Sequence, residues 1–314
     1  MARVSERERV GAHWLRLWGT VTEKSDSGFL RNPPCFSLGS VKSEIKLLVL
    51  DIDGTIAGES NQIRPGVLAA IKAVQAKGIP VTIATGRMYR SAQRFHAEIG
   101  SKLPLIAYQG AWIQDPINNK LHRHQPLPIP IAAQLLDYLE QVDFKSKVSI
   151  HFYINDQLYV REVVGDTKEY ALRSGIPANA VGDLRQLLDQ APTKILALSE
   201  DIQLLDDLLV KVRKLYRPDE LYLTKSVATF FEMAHPLVNK GIAVDYLARE
   251  VLNINPEEIM AIGDNFNDLE MIEYAGIGVA MGEAPAAVKA VAQWVAPGVE
   301  EDGVVAAIEE FILK

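Results

Sequence analysis

The stretch Ile45-Lys46-Leu47-Leu48-Val49-Leu50-Asp51-Ile52-Asp53-Gly54-Thr55 decides the fold. Its first half is an apolar run, typical of a strand that is covered on both faces in a parallel α/β sheet. Its second half places two carboxylates, a glycine and a hydroxyl directly where that strand ends. Ligands of open α/β sheets bind beyond the carboxyl ends of the strands, so chemistry is expected here. Taken alone, these residues could also be an ordinary polar turn.

The chain around this stretch alternates strands and helices. Pro65 is suited to the first turn of a helix, and Gly78 is suited to ending it. Strands separated by helices of this length predict βαβ units and a parallel sheet. The other expected elements are strands over 79–84, 104–108, 259–262 and 277–280, and helices over about 89–99, 240–251, 268–274 and 286–292.

The middle of the chain follows a different pattern. Two alternating runs flank Asn155-Asp156 and predict a hairpin over about 148–161. A strand at 194–198, a periodic helix at 202–215 and two short strands near 221–223 and 229–233 follow. Strands with segregated helices predict an inserted α+β unit. We therefore expect a core over 44–126 and 236–314, an insertion over 127–235, and a poorly ordered extension over 1–43 with no assigned function.

Composition excludes several classes of protein. The 314 residues carry a net charge of −7 without an extended Lys/Arg stripe, which argues against a nucleic-acid partner. No apolar run approaches the roughly 18 residues of a membrane span, so we expect no membrane partner. The single cysteine, Cys35, excludes an intrachain disulfide and a cysteine-based zinc cluster. We expect a cytoplasmic protein that is a monomer or a weak homo-oligomer.

Four polar groups, far apart in sequence, are predicted to meet at one edge of the sheet. Each also has a simpler explanation, as a turn, a solvated lysine or a helix cap. Two neighbouring carboxylates can act as nucleophile and general acid/base, and a hydroxyl with free N–H groups can hold a phosphoryl oxygen. Clustered acids repel one another unless a cation joins them, and oxygen ligands favour Mg²⁺. The groups are Asp51 with Asp53, Thr85-Gly86-Arg87, Lys240, and Gly263-Asp264-Asn265-Phe266-Asn267-Asp268.

These four groups resemble the four motifs of the haloacid dehalogenase superfamily. An insertion of about one hundred residues between the second and third motifs resembles the Cof-type sugar-phosphatase branch. The resemblance covers roughly 45–314 and implies a doubly wound parallel-sheet core with an α+β cap. Two residues depart from the branch pattern: Gln109 stands where asparagine is usual, and Glu283 stands where asparagine is common.

The resemblance also implies a role for each motif residue. Asp51 attacks phosphorus to form an aspartyl-phosphate, Asp53 is the general acid and base, and Lys240 offsets charge. The phosphate-binding residues would be Thr85, Gly86, Arg87, Lys240 and Asn267. Mg²⁺ would be held by Asp51, the backbone carbonyl of Asp53 and Asp264, with Asp268 orienting this shell.

The substrate implied is a small soluble phosphate ester such as a sugar phosphate, and cap residues should select it. His151, Tyr153, Arg161 and Arg123 are candidates to face the cleft, although a purely structural place is more common for such residues. A phosphomutase is one alternative, but it needs phosphate-binding cap arginines. Those present show no evident cluster: Arg161, Arg173, Arg185, Arg213 and Arg217. A non-catalytic binding protein on the same scaffold is a second alternative.

Overall fold

The computed structural model describes residues 44–141 and 147–314. The predicted extension over 1–43 lies outside the described residues. The described residues form one compact unit. None of the described helices combines the length and the apolar character needed to cross a membrane.

The first layer is a five-stranded parallel sheet with the strand order β14-β13-β12-β1-β2. The order reverses between β1 and β12, which pair directly and form the topological switch point where such folds bind ligands. This confirms the predicted α/β core. Its strands are β1 (Leu47–Leu50), β2 (Val81–Ile83), β12 (Ile259–Gly263), β13 (Ile277–Ala280) and β14 (Trp294–Val295). Its helices are α1 (Pro65–Ala76), α2 (Tyr89–Glu98), α6 (Lys240–Tyr246), α7 (Leu269–Tyr274), α8 (Ala286–Val291) and α9 (Gly303–Ile308).

The strand expected over 104–108 does not extend the parallel sheet. Leu105–Ala107 (β3) joins a separate antiparallel sheet with Trp112–Gln114 (β4) and Leu121–His124 (β5). One parallel bridge, between Ala84 and Ile106, links it to the end of β2. The backbone of Tyr108 and Gln109, both left-handed with φ of 53° and 58°, turns the chain back immediately after β3 and so pairs β3 with β4.

The second layer is a six-stranded sheet with the order β10-β11-β9-β6-β7-β8, antiparallel except for the β7–β8 pair. The predicted hairpin is confirmed, because Asn155 and Asp156 form its turn with φ of 51° and 56°. The strands are β6 (Ser149–Ile154), β7 (Gln157–Val160), β8 (Ala178–Ala180), β9 (Lys194–Leu198), β10 (Tyr222–Thr224) and β11 (Phe230–Ala234). The helices are α3 (Ile129–Leu139), α4 (Gly165–Ser174) and α5 (Ile202–Leu215).

All six strands of the second sheet fall within the predicted insertion, and all strands of the parallel sheet fall outside it. We call these two parts the cap and the core, and we propose the boundaries 44–126, 127–235 and 236–314 for them. Strand β9 shows how the cap sheet divides its faces. Ile195 and Ala197 pack inside the cap, whereas Leu196 and Leu198 pack on the opposite face, which lines a cleft over the core.

Asp156, in the cap hairpin, binds two groups of the core. Its carboxylate accepts hydrogen bonds from the Tyr108 hydroxyl at 2.8 Å and from the Arg90 backbone N–H at 3.0 Å. Arg90 lies in the first turn of α2, and the residue before that helix, Met88, offers no capping side chain. The cap therefore supplies the N-terminal hydrogen-bond acceptor that this core helix lacks.

We expect Asp156→Ala to destabilise the protein by roughly 2–4 kcal/mol, because it leaves the buried Tyr108 hydroxyl without a partner and α2 without its cap. Asp156→Asn is the matched control, since it keeps one acceptor oxygen and should lose less stability. Urea denaturation of the full chain measures both variants. Equal stability of the alanine variant and the wild type would contradict this account of the contact.

Candidate active site

Asp51 and Lys240 form a buried ion pair on the floor of the cleft. Asp51 directly follows β1 and is 3% exposed, and Lys240, the first residue of α6, is fully buried. The Lys240 ammonium lies 2.7 Å from Asp51 Oδ1 and donates a second hydrogen bond to Asp268 Oδ1. Burial alone would lower the pKa of Lys240, but Asp268 and Asp51 outweigh that effect and raise it. Lys240 is therefore held as a cation between two carboxylates.

Two glycines allow the acidic loops to approach each other. Gly54 has φ of +77°, and a Cβ on it would lie 2.3 Å from Asp264 Oδ2. A Cβ on Gly263 would lie 2.5 Å from the Cβ of Asp268. A side chain is therefore unfavourable at both positions, at Gly54 because its left-handed backbone would be strained and at Gly263 because the side chain would overlap the Cβ of Asp268. The two loops meet closely enough for the Thr55 hydroxyl to donate to Asp264 Oδ1 at 3.3 Å.

Three carboxylates cluster at the carboxyl ends of β1 and β12. Each of Asp51, Asp264 and Asp268 places an oxygen within 4.8 Å of the other two. Burial, followed by the charge of Asp268, raises the pKa of both Asp51 and Asp264 above the usual range. Lys240 opposes these shifts without cancelling them. The raised pKa values mean that Lys240 alone does not supply enough positive charge to keep these acids ionised, and an all-oxygen donor set of this kind fits a hard divalent cation.

Asp268 differs from the other two acids because both of its oxygens are already engaged. Oδ1 accepts from Lys240, and Oδ2 accepts from the backbone N–H groups of Asp264 and Asn265 at 2.9 and 3.0 Å. These bonds fix the loop that carries Asp264. Asp51 and Asp264 keep carboxylate oxygens available to a cation.

Asp53 does not place its carboxylate in this acidic cluster. The Arg87 guanidinium binds it in two places, with Nε to Oδ2 at 2.7 Å and Nη2 to Oδ1 at 2.6 Å. Burial would raise the pKa of Asp53, but the bonds and charge of Arg87 outweigh it and lower the pKa. Arg87, expected to bind phosphate, is thus mostly occupied, although its Nη1 is buried without a hydrogen-bond partner.

Gln109 connects the predicted phosphate-binding segments to the cap. Its side-chain oxygen accepts from Asn267 Nδ2 at 3.2 Å, and its Nε2 lies 3.4 Å from Glu232 Oε1 on β11. Gly86 makes room for it, since a Cβ there would lie 2.3 Å from Gln109 Nε2. Glu232 also pairs with Lys194 on β9, at 2.6 Å. The Gln109 side chain, which departs from the branch pattern, therefore connects the core to the cap.

The second predicted motif forms a compact turn at the end of β2. Thr85 is buried, and its hydroxyl accepts the backbone N–H of Arg87 at 3.1 Å. Lys194 Nζ donates to the carbonyl of Gly86 at 2.9 Å. A cap side chain thus reaches the backbone of this turn.

The cleft between core and cap has a volume of about 790 Å³. Its floor carries predicted site residues from three of the four motifs, and Lys240 lies buried beneath Asp51. Its roof carries Tyr170, Leu196, Leu198 and Phe230 together with the buried pair of Lys194 and Glu232. Glu283, the second departure from the branch pattern, lies at its rim. The predicted residues that line it are Asp51, Asp53, Thr85, Gly86, Arg87, Asp264 and Asn267.

None of the four residues expected to select the substrate lines this cleft, and one of them, Arg123, belongs to the core. His151 is fully buried and hydrogen-bonded to Thr167 at 2.9 Å, and Tyr153 packs beside it. Arg161 pairs with Glu140, and Arg123 donates to the carbonyl of Leu237 at 3.0 Å. The cap residues that do face the floor, Lys194, Glu232 and Tyr170, were not singled out from the sequence. The available signal was a lysine at the start of the otherwise apolar strand β9.

Comparison with known proteins agrees with this geometry. Residues 48–308 match the family described as haloacid dehalogenase-like hydrolases. The 5-amino-6-(5-phospho-D-ribitylamino)uracil phosphatase YitU of Bacillus subtilis is 28% identical over 275 residues, which cover 84% of this chain and 97% of that protein. These matches span the core and the cap together.

Solved structures share the fold over the same length. TM0651 from Thermotoga maritima superposes with a TM-score of 0.71 at 29% identity, over 85% of this chain and 97% of that one. The HAD subclass IIB sugar phosphatase BT4131 gives a TM-score of 0.72 at 23% identity, over 85% and 98%. The chain therefore belongs to the haloacid dehalogenase-like hydrolases, as a phosphatase of the Cof-type branch.

Proposed function

We propose that this phosphatase hydrolyses a phosphomonoester of a small soluble molecule, such as a sugar phosphate, through an aspartyl-phosphate on Asp51 and with Mg²⁺ as cofactor. The observation that carries the proposal is Asp51 at the end of β1, which lines the same cleft as Asp53 and is paired with the buried Lys240 beneath it. A carboxylate held next to a fixed cation can approach a negatively charged phosphoryl group.

In the first half-reaction a carboxylate oxygen of Asp51 forms a bond to phosphorus as the ester P–O bond breaks. Asp53 gives a proton to the departing alkoxide. In the second half-reaction Asp53 takes a proton from water, whose oxygen attacks phosphorus and releases Asp51. The ion pair with Arg87 keeps Asp53 ionised within the cleft, so this role requires the Arg87 contact to open before Asp53 carries the proton.

Other polar groups would hold the phosphoryl oxygens. Thr85, Gly86 and Asn267 line the cleft beside Asp51, and Gln109 orients the Asn267 amide. The unpartnered Nη1 of Arg87 is a further donor available to an oxygen. Lys240 would offset charge on both Asp51 and the phosphoryl group.

The acidic cluster would hold Mg²⁺ through Asp51 and Asp264, with the backbone carbonyl of Asp53 as a further ligand and Asp268 fixing the loop. When bound, the cation supplies charge neutralisation at the phosphoryl oxygens. The predominance of carboxylate oxygens favours Mg²⁺ over softer metals. Ca²⁺ should bind there yet support little turnover, because its looser coordination would let Asp51 bind with both oxygens and lose the attacking one.

The substrate can be sought with a broad panel of phosphate esters, including p-nitrophenyl phosphate and the substrate named for the Bacillus subtilis relative. Released inorganic phosphate supports hydrolysis, and isomerised hexose phosphate without release would support a phosphomutase. Failure of purified protein with Mg²⁺ on the whole panel would favour a non-catalytic binding protein. We also propose that the protein is cytoplasmic and that it is a monomer or a weak homo-oligomer.

Asp51→Asn should abolish turnover because it removes the nucleophile while keeping its shape and an acceptor for Lys240. Phosphate release by the full chain measures activity, and thermal melting with circular dichroism checks the fold. Residual activity within about tenfold of wild type in a folded variant would contradict the covalent mechanism.

Asp53→Asn should slow both half-reactions by roughly 10²–10⁴-fold, the usual size of a general acid/base contribution. Rapid acid quench and mass spectrometry of the Asp51 peptide should detect phosphate that accumulates when the second half-reaction is slow. Wild-type turnover in this variant would remove Asp53 from the proposed mechanism.

Saturating Mg²⁺ should raise the melting temperature of the wild type, since it binds only the folded arrangement. Asp264→Ala should abolish that shift and leave the metal-free protein equally or more stable, because one repulsive charge is gone. Asp166→Ala, which removes an acid that lines the cleft outside the cluster, is the matched control and should keep the shift. An unchanged shift in Asp264→Ala would exclude Asp264 from the metal site.

A further inference from the structure

A second cavity, of about 350 Å³, opens beside the cleft at the boundary between core and cap. It lies between residues 60–62 and α2 of the core and the C-terminal end of cap helix α4. Its lining contains Arg90, Arg94 and Arg173, with polar groups of Asn61 and Ser91 and with no carboxylate among the described residues. We call it the arginine pocket.

The positive charge of the arginine pocket is poorly neutralised. Arg90 Nε lies 3.4 Å from Asp156 Oδ2, and Arg173 Nη2 lies 4.0 Å from Asp53 Oδ1. Within residues 44–141 and 147–314, Arg94 has no carboxylate at salt-bridge distance. Three guanidinium groups therefore share two long ion pairs, which leaves an excess of positive charge next to the cleft.

Hydrogen bonds fix the walls of this pocket from both sides. The backbone carbonyl of Asn61 accepts a hydrogen bond from Arg94 Nη2 at 2.7 Å. The side-chain Nδ2 of Asn61 donates a hydrogen bond to the backbone carbonyl of Arg173 at 3.0 Å. The Ser91 hydroxyl donates to the carbonyl of Ser174 at 2.7 Å. These bonds hold the last turn of α4 against the core, where Arg173 lines the same pocket as Arg90 and Arg94.

This grouping was not visible in the sequence. The cap arginines alone show no cluster, and Arg173 joins one only because Arg90 and Arg94 come from the core. From the sequence, the phosphomutase alternative was weighed on cap arginines only, whereas the pocket joins one cap arginine to two core arginines.

We propose that the arginine pocket binds a phosphate-type oxyanion that bridges core and cap. Guanidinium groups present planar pairs of donors that match phosphate oxygens, and a bound anion would offset the excess positive charge. Two sources share this chemistry. One is free inorganic phosphate, and the other is a second phosphate group on the substrate, because the pocket and the cleft share Ser91, Arg173 and Ser174. Only the second source rests on the proposed function.

The binding test uses sulfate as the probe, with the full chain. Melting temperature is followed against sodium sulfate, with sodium chloride at matched ionic strength as the reference. Arg94→Gln should raise the half-saturating sulfate concentration about tenfold or more, the loss expected for one charge-assisted contact. Arg94 does not line the cleft, so sulfate bound at the floor would not produce this difference.

Arg213→Gln, an exposed arginine on α5, is the matched control and should titrate like the wild type. Arg90→Gln should weaken sulfate binding in the same direction as Arg94→Gln. If Arg94→Gln and Arg213→Gln titrate alike, the pocket does not bind the anion and the proposal is overturned.

The source is identified by kinetics on a hexose monophosphate and the corresponding bisphosphate. If the substrate supplies the anion, Arg94→Gln should lower the bisphosphate-to-monophosphate ratio of kcat/KM about tenfold, whereas Arg213→Gln should not. An unchanged ratio together with lost sulfate binding identifies a free anion as the occupant. If wild type hydrolyses no ester but sulfate binding still depends on Arg94, the proposed function fails and the oxyanion site stands.

Discussion

The ammonium of Lys240, buried between Asp51 and Asp268, is the interaction on which the rest of the site depends. Removing an ammonium from water costs several kcal/mol, and only closely placed carboxylates offset such a cost. The three partners come from the start of α6, the end of β1 and the loop after β12. One buried cation therefore fixes the relative positions of three segments that are far apart in sequence.

The remaining geometry follows from placing so many acids together. Lys240 balances one charge, and the raised pKa values of Asp51 and Asp264 show that burial and repulsion are not fully offset. Gly54 and Gly263 permit this close approach, because a side chain at either would overlap an aspartate. Asp53 avoids the cluster through its pair with Arg87. The result is an acidic floor suited to a divalent cation, with the Asp53 carboxylate held apart from it by Arg87.

The features that could be predicted from sequence are local ones. Strand β9 was predicted with its observed bounds because it is a short apolar run, and helix α5 was predicted with its observed bounds because its apolar residues recur at the helical period. Helix α4 was missed because only Thr167 among its residues is fully buried, so it carries almost no apolar pattern. The turn after β3 depends on Tyr108 and Gln109, and neither residue type indicates a left-handed backbone in the sequence. In the same way, the contacts of Gln109 and Arg173 join core to cap and become visible only in three dimensions.

The central claim is that Asp51 takes the phosphoryl group before water does. The stereochemical course at phosphorus tests it most directly, with an isotopically chiral phosphate ester hydrolysed by the wild-type protein in the presence of Mg²⁺. Two successive in-line displacements, first by Asp51 and then by water, predict net retention of configuration. Net inversion would mean a single displacement by water and would contradict the account.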